Sequence, residues 1–318
     1  MHTTISVIIP HRNGCRRLKV LESLKEVGYP KDKIEVLLAG GSSPSVQRNR
    51  AARIAKGDIL YFFNDNVELD RRIFAKAVEI FSRDKKIAGV GGPDLTPAGN
   101  TRLQHLFGFA MSSFFAHWRM RARYSQVGKE RGVGQDQLLL SNLAIRRDVY
   151  LEADGFNGSL YPNEENELIN RISKIGYKFV YSPEVKVYRD RRKTVFAFAR
   201  QFCRYGKGRM KQIFIEGALE NIQFFLPVVF IVYFLVLPLL RHSWPAFIPL
   251  FTYIFLALID AFYLSFKNKR NLAWGLPFIY VVMHVSYGIG MLGALLETVL
   301  KKASTIAPYA SNVNITKI

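Results

Sequence analysis

Three small polar residues, Asn64, Asp65 and Asn66, follow directly on the unbroken apolar run Ile59–Phe63. Such a run reads as a strand buried on both faces. Amides or carboxylates at its end stand at the carboxyl edge of a sheet, where open α/β folds bind ligands. The chemistry to identify is that ligand and whether a metal accompanies it. A second concentration of oxygens, Glu164, Glu165 and Glu167, opens a stretch that reads as a helix to Ile175. Carboxylates so close raise one another's pKa, and they equally suit a plain helix N-terminus, whose dipole favours negative charge.

The elements that must position these groups alternate along the chain. Ile5–Ile9 is a β-branched run stopped by Pro10, a first strand. Leu18, Leu21, Leu24 and Val27 recur at helical spacing, and Gly28 with Pro30 closes that helix. Ile34–Leu38 is a second strand running into Gly40–Pro44, a loop that caps a helix reaching Lys56. Asp70–Phe81 is a further helix, and Ala88–Val90 a strand ending in Gly91-Gly92-Pro93. Strands alternating with helices predict a parallel, right-handed α/β sheet over roughly the first hundred residues. Leu138–Ile145 and Lys178–Tyr181 add strands, and Gly155–Gly158 a turn. Leu103–Tyr124 carries Phe107, Phe114, Phe115 and Trp118 ahead of three arginines. It reads either as a core helix with a solvated end or as a segment dipping into a membrane interface.

Composition divides the chain. Of its 45 Lys and Arg only seven lie from Ile222 onward, and of its 25 Asp and Glu only two, so the part before carries a net charge of +15. A basic domain joined to an apolar tail points to anionic partners such as nucleotide diphosphates or lipid headgroups. Nucleic acid is a weaker fit, because no recognisable nucleic-acid motif accompanies the charge. Cys15 and Cys203 form no CxxC, which argues against a disulfide framework or zinc site. The chain opens on a strand-like run, so no cleavable signal peptide is expected.

Lys193–Ile215 mixes aromatics with Arg200, Arg204, Lys207, Arg209 and Lys211, as in an amphipathic helix on an anionic leaflet. Three apolar stretches follow, residues 222–240, 246–266 and 272–296, each about the ~20 residues that cross a bilayer. The basic loop Lys267–Arg270 belongs on the cytoplasmic side and Arg241–Pro245 outside. Three crossings leave the C-terminal tail outside, although Lys301 and Lys302 begin it. Asp260, the one acid in the spans' interior stretch 246–266, fits a position near a helix end.

The runs SVIIPHRNG, PSVQRNRAARIAKGDILYFFNDN, SNLAIRRDVYLEADGF and NEENEL occur in the order and rough spacing of family-2 glycosyltransferases, which the chain resembles over about residues 5–190. The resemblance implies a GT-A fold, a nucleotide-diphospho-sugar transferase of Rossmann-like α/β type. It implies Pro10, His11 and Asn13 at the nucleoside of the donor, and Arg48 and Asn49 as the family's Arg-Asn pair, the arginine facing the donor diphosphate. Asn64, Asp65 and Asn66 take the DxD position, Asn142 and Arg146 the acceptor side. Glu165 falls at the catalytic base, with Glu164 and Glu167 as fallbacks. Such a carboxylate takes the proton of an acceptor hydroxyl while the anomeric carbon is attacked with inversion.

Several positions depart from the family pattern together. Ala39 and Gly40 replace the aspartates after the second strand, amides replace the outer aspartates of DxD, and Arg189 stands where a metal-ligating histidine is usual. Mg²⁺ or Mn²⁺, which the family uses, wants carboxylate oxygens, and only Asp65 offers one. Arg189 with Arg48, Arg191 and Arg192 can supply positive charge in place of the metal, so little metal dependence is expected; Arg191 and Arg192 are also assigned to the acceptor side.

The expected protein is therefore a cytoplasmic GT-A domain (residues 1–192), an interfacial helix (193–221) and an all-α membrane domain (222–318). It would be a multi-pass inner- or plasma-membrane glycosyltransferase acting on a polyprenyl phosphate, glycolipid or other membrane-embedded acceptor of envelope polysaccharide synthesis. The reading from another class is a non-catalytic scaffold that binds lipid or a partner.

Overall fold

The structure, a computed structural model, describes residues 3–12, 18–217, 223–271, 274–301 and 313–318. Its strands are β1 (Ile5–His11), β2 (Ile34–Gly40), β3 (Ile59–Phe63), β4 (Val67–Leu69), β5 (Ile87–Gly91) and β6 (Asp94–Leu95). They continue with β7 (Arg131–Val133), β8 (Asn142–Arg146), β9 (Lys178–Tyr181), β10 (Val187–Arg189) and β11 (Asn314–Lys317). The chain divides into two compact units. The first comprises Met1–Ala98, Arg119–Asp190 and Pro308–Ile318; the second comprises Gly99–Trp118 and Arg191–Ala307. The expected boundary at residue 192 falls beside the Asp190–Arg191 division, whereas Gly99–Trp118 belongs with the helices and the chain's last residues with the sheet.

The first unit is built on an eight-stranded sheet in the order β11-β2-β1-β3-β8-β5-β9-β7. β1 pairs in parallel with β2 and β3, and β5 with β9. β8 runs antiparallel between β3 and β5, and the edge strands β11 and β7 are antiparallel to β2 and β9. The strands of this sheet from the first hundred residues, β1, β2, β3 and β5, run parallel as expected, and the later strands β7, β8 and β11 make the whole sheet mixed. A buried apolar strand reads the same in either direction, so Leu138–Ile145 holds no signal of its polarity. A second sheet, β4-β10-β6, was not foreseen; strands of two or three residues are too short to show a period. β1 continues through Pro10 to His11, because β3 accompanies it only as far as Ile8 and proline is tolerated where a ladder has ended.

β3 shows why its run is wholly apolar. Ile59, Tyr61 and Phe63 enter one core with Phe74, Ala77 and Ile80 of the helix Ile73–Arg83. Leu60 and Phe62 enter the other, with Ala51 and Ala52 of the helix Pro44–Ile54 and Leu168 and Ile172 of the helix Glu164–Lys174. Successive side chains of a strand face opposite ways, so each position is buried on one face or the other. Burying an aromatic or aliphatic side chain stabilises by about 1.5–3 kcal/mol, which leaves no place for a polar group before Asn64.

The second unit is helical. The Leu103–Tyr124 stretch is not one helix: Arg102–Ser112 begins at a capping box made by Thr101 and Gln104, and Phe114–His117 restarts after Ser113. Ser113 Oγ and the Tyr280 hydroxyl both donate to Asp260 Oδ2, at 2.7 and 2.5 Å. Phe107 stacks on Phe198 at 4.3 Å, and Phe115 meets Tyr253 and Tyr280. Asp260 therefore serves as the shared acceptor of a helix break and a neighbouring helix, seven positions before the end of Ile248–Lys267. Among the described residues three helical stretches are long and apolar enough to cross a membrane: Gln223–Leu240, Trp244–Lys267 and Leu276–Thr298. The last packs closely on Val195–Glu216, where a Cβ on Gly206 would overlap the Tyr287 carbonyl oxygen and one on Gly290 that of Cys203.

Candidate active site

β1, β2 and β3 are parallel neighbours, so His11, Gly40 and Asn64–Asn66 all stand at the same edge of the sheet. Pro10 is buried opposite Ala39, and His11 lies opposite Gly40. The His11 carbonyl accepts from the Gly41 N–H at 3.1 Å and from Gln47 Nε2 at 2.9 Å, and Gln47 also donates to the Ala39 carbonyl. Gln47 thereby fixes both strand ends to the helix Pro44–Ile54. Sequence reading missed it; an amide beside Arg48 in the first turn was the available signal. Asn13 lies outside the described residues.

Arg48 is the centre of this edge. It is 3% exposed; its Nη1 reaches Glu164 Oε1 at 3.1 Å and its Nη2 donates to Asn64 Oδ1 at 3.1 Å. The guanidinium joins the strand-end triplet to the acid-rich helix start. Burial, reinforced by the nearby charge of Glu165, pushes Glu164 up to about 8 against the pull of Arg48. The helix begins at Asn163, whose φ of 91° lies in the left-handed region that asparagine tolerates better than most residues.

The other residues of the acidic stretch are distinguished by their partners. Glu167 binds Arg171 through both oxygens, Oε1 to Nε at 2.8 Å and Oε2 to Nη2 at 2.9 Å. Arg171 also donates to the Gly155 and Ala153 carbonyls, so this pair fixes the helix to the preceding turn. Asn166 is buried and accepts from Arg123 Nη2 at 2.6 Å. Glu165, 6% exposed, has no side-chain hydrogen bond or ion pair among the described residues.

Three expected ligand contacts are occupied by structural bonds. Asn49 Oδ1 accepts from the Tyr150 hydroxyl at 2.6 Å and the Phe156 N–H at 2.9 Å, while its Nδ2 donates to the Phe156 carbonyl at 2.7 Å. It anchors the turn around Gly155 rather than a donor. Asn142 is fully buried between the Tyr61 hydroxyl, at 2.9 Å, and the Val185 carbonyl, at 2.7 Å. Arg146 lies opposite Ile59, at the far edge of the sheet from Asn64, and donates to the Ile87 and Phe81 carbonyls. The antiparallel course of β8 is the reason: it carries its last residue away from the edge its first residue joins. Arg191 and Arg192 belong to the second unit. The Arg191 N–H donates to Asn100 Oδ1 at 3.0 Å, and Arg192 Nε to Gln201 Oε1 at 2.6 Å.

The side-chain oxygens open to a divalent metal at this edge are few. Arg189 lies opposite Val67 in the small sheet, one residue past the triplet. Its Nη2 is paired at 2.6 Å with the fully buried Asp94, which also accepts from Ser141 Oγ at 3.0 Å. No cluster of three or more Asp, Glu, His or Cys able to hold a metal occurs among the described residues. Asp65 is half-buried and Asn66 exposed. With Asn64 bound to Arg48 and Asp94 bound to Arg189, Asp65 is the carboxylate of the triplet that would hold a divalent ion, which commonly takes one or two protein carboxylates together with substrate phosphates.

Residues 4–208 match the family described as "Glycosyltransferase like family 2". The succinoglycan biosynthesis protein ExoA of Rhizobium meliloti (strain 1021) is 23% identical over 332 residues, covering 93% of this chain and 96% of its own. Among solved structures, the mannosyltransferase PcManGT from Pyrobaculum calidifontis, in complex with GDP-Man and Mn²⁺, superposes with a TM-score of 0.60 at 16% identity. That superposition covers 93% of this chain and 88% of the other and shows a shared GT-A fold.

Proposed function

The chain belongs to the family-2 glycosyltransferases, and on that premise we propose that it moves a sugar, with inversion, from a nucleotide-sugar donor to a lipid-linked or other membrane-embedded acceptor. The observation that carries the reading is the arrangement about Arg48. It ties the donor edge at Asn64 to Glu164, and it leaves Glu165 as the carboxylate with no competing bond. Glu165 takes the proton of an acceptor hydroxyl as that oxygen attacks the anomeric carbon; the nucleoside diphosphate departs from the opposite face with the bonding electron pair. Arg48 and Arg189 meet the leaving charge, and the donor is held with little help from a metal. A base at Glu165 suits a glycolipid hydroxyl better than a phosphate, which brings no proton to remove at neutral pH.

The GDP-Man bound by PcManGT supports a nucleotide-sugar donor, and the role of ExoA in succinoglycan biosynthesis supports an envelope polysaccharide as product. The three apolar stretches and the basic helix Val195–Glu216 support an inner- or plasma-membrane protein on an anionic leaflet, with the catalytic unit in the cytoplasm. Turnover and hydrolysis of a panel of nucleotide sugars by the purified full-length protein, with and without EDTA, test the reading. Neither transfer nor donor hydrolysis with any sugar would make the chain a scaffold instead.

A further inference from the structure

β11 pairs antiparallel with the edge strand β2, Ile315 opposite Ala39, and Lys317 Nζ meets Glu35 Oε2 at 2.9 Å. The sheet thus contains residues from before the apolar helices and residues from after them. Both sets lie on one side of any membrane those helices enter, so the number of complete crossings is even. Three apolar helices are present among the described residues. We propose that the third, Leu276–Lys301, does not cross but lies along the leaflet beside the basic helix Val195–Glu216, the pair forming a lipid-facing platform on the side of the catalytic unit. This replaces the tail expected outside, and it rests on the reading of the chain as membrane-bound.

The chain between helix and strand cannot restore three crossings. Residues 302–312 number eleven; as a helix they would span about 16 Å at ~1.5 Å each, against a hydrocarbon core of about 30 Å. In extended form their backbone would stand unpaired in lipid, which bilayers do not tolerate.

The third helix touches the first two, Gly288 at Pro227 and Tyr280 at Asp260, but its pairing with the basic helix Val195–Glu216 identifies it as the one that stays. Val195–Glu216 exposes Arg200, Arg204 and Lys211 on one face, with exposed Phe196 and Phe214 toward its two ends. Cations so disposed are costly in hydrocarbon and at home among headgroups. The third helix follows this one in the same direction. Gly206 abuts Tyr287, Met210 and Ile213 share a cluster with Met291 and Ala294, and Lys207 Nζ reaches Glu297 Oε1 at 2.6 Å. Its exposed residues Phe278, Val281, Ile289, Leu296 and Leu300 form a single stripe at helical spacing. The first two apolar helices cross as a hairpin. Their turn, Arg241–Ser243, is exposed and polar, while Lys267, Lys269 and Arg270 return to the near side.

Single cysteines placed in a C15S/C203A background, labelled with a membrane-impermeant maleimide on intact and then permeabilised cells, test this. Lys85→Cys reports the catalytic unit, Ser243→Cys the hairpin turn, Asn271→Cys the loop before the third helix and Thr316→Cys the tail; all four positions are exposed. The expected result is that only the Ser243 position labels in intact cells and that the other three label together on permeabilisation. The opposite grouping, with only Ser243 protected, would keep this topology and defeat the cytoplasmic placement. Thr316 on the side opposite Lys85 would overturn the proposal by showing an odd number of crossings. Asn271 on the side opposite Lys85 would overturn it by showing that a different helix fails to cross, and all four positions on one side by showing no crossing.

Discussion

Arg48 and Glu164 meet at 3.1 Å across 116 positions of sequence, both of them buried. The same guanidinium holds Asn64, so one side chain joins the strand end to the helix that carries the acids. Removing one partner of a buried pair typically costs about 3–5 kcal/mol, because the other charge is left uncompensated. Glu164, pushed up to about 8, can escape that cost by taking a proton. Arg48→Ala is therefore expected to destabilise by about 3 kcal/mol in alkaline solution and by clearly less near neutrality. Urea denaturation on both sides of the Glu164 pKa checks this; equal losses would mean that Glu164 is charged throughout.

Glu165→Gln removes the proposed base and no structural bond. Transfer is expected to fall by about 10²–10⁴-fold with an unchanged melting temperature. Glu167→Gln, by contrast, weakens the Arg171 clamp on the Gly155 turn and is expected to lower stability first. Full activity in the Glu165 variant would remove it from the mechanism.

Arg189 fills the position of an expected metal ligand and is held by Asp94. If its charge serves the leaving diphosphate, chelation should reduce transfer only slightly, while Arg189→Ala should reduce it by about 10²-fold or more, the scale of one lost transition-state contact. Complete loss on chelation, restored by Mn²⁺ or Mg²⁺, would return the site to metal-dependent chemistry.

Two glutamates give opposite pH slopes. Burial raises the pKa of Glu35, but this is outweighed by the Lys56 N–H, then by Ser6 and Lys317, which together hold its carboxyl at about 2. Its folded-state value is depressed, so its contribution is present above the ordinary carboxylate range and is lost as pH falls toward 2. Glu164 is raised, so its contribution is full in acid and is lost as pH rises through about 8. Glu35→Gln should flatten the acid limb of the stability profile and cost about 1 kcal/mol at neutral pH, given solvent screening; Glu164→Gln should flatten the alkaline limb. An unaltered acid limb in the Glu35 variant would place the linkage elsewhere.

Asn49→Ala deletes three bonds that hold the turn about Gly155, whose φ of 65° favours glycine. It leaves the buried Tyr150 hydroxyl and the Phe156 N–H unsatisfied, at about 1–3 kcal/mol for each such group. A loss of stability larger than the loss of donor affinity is expected, measured by denaturation beside nucleotide binding; the reverse order would restore Asn49 to the donor site.

The sequence by itself determined the class of fold, the three apolar stretches, and the edge at which Asn64–Asn66 and Glu164–Glu167 come to matter. These follow from period and composition: Ile59–Phe63 had to be buried, and polar residues at its end had to emerge at a sheet edge. Only the tertiary structure decided which polar groups are already satisfied. Asn142 and Asn49 look like ligand contacts in a motif, yet their oxygens and nitrogens are taken by Tyr61, Val185, Tyr150 and Phe156. The polarity of β8, which sends Arg146 to the far edge, and the return of Asn314–Lys317 to β2 are pairings between distant segments. An alternation of apolar and polar residues says which face a side chain takes; it carries no information about which strand lies beside it or in which direction that strand runs.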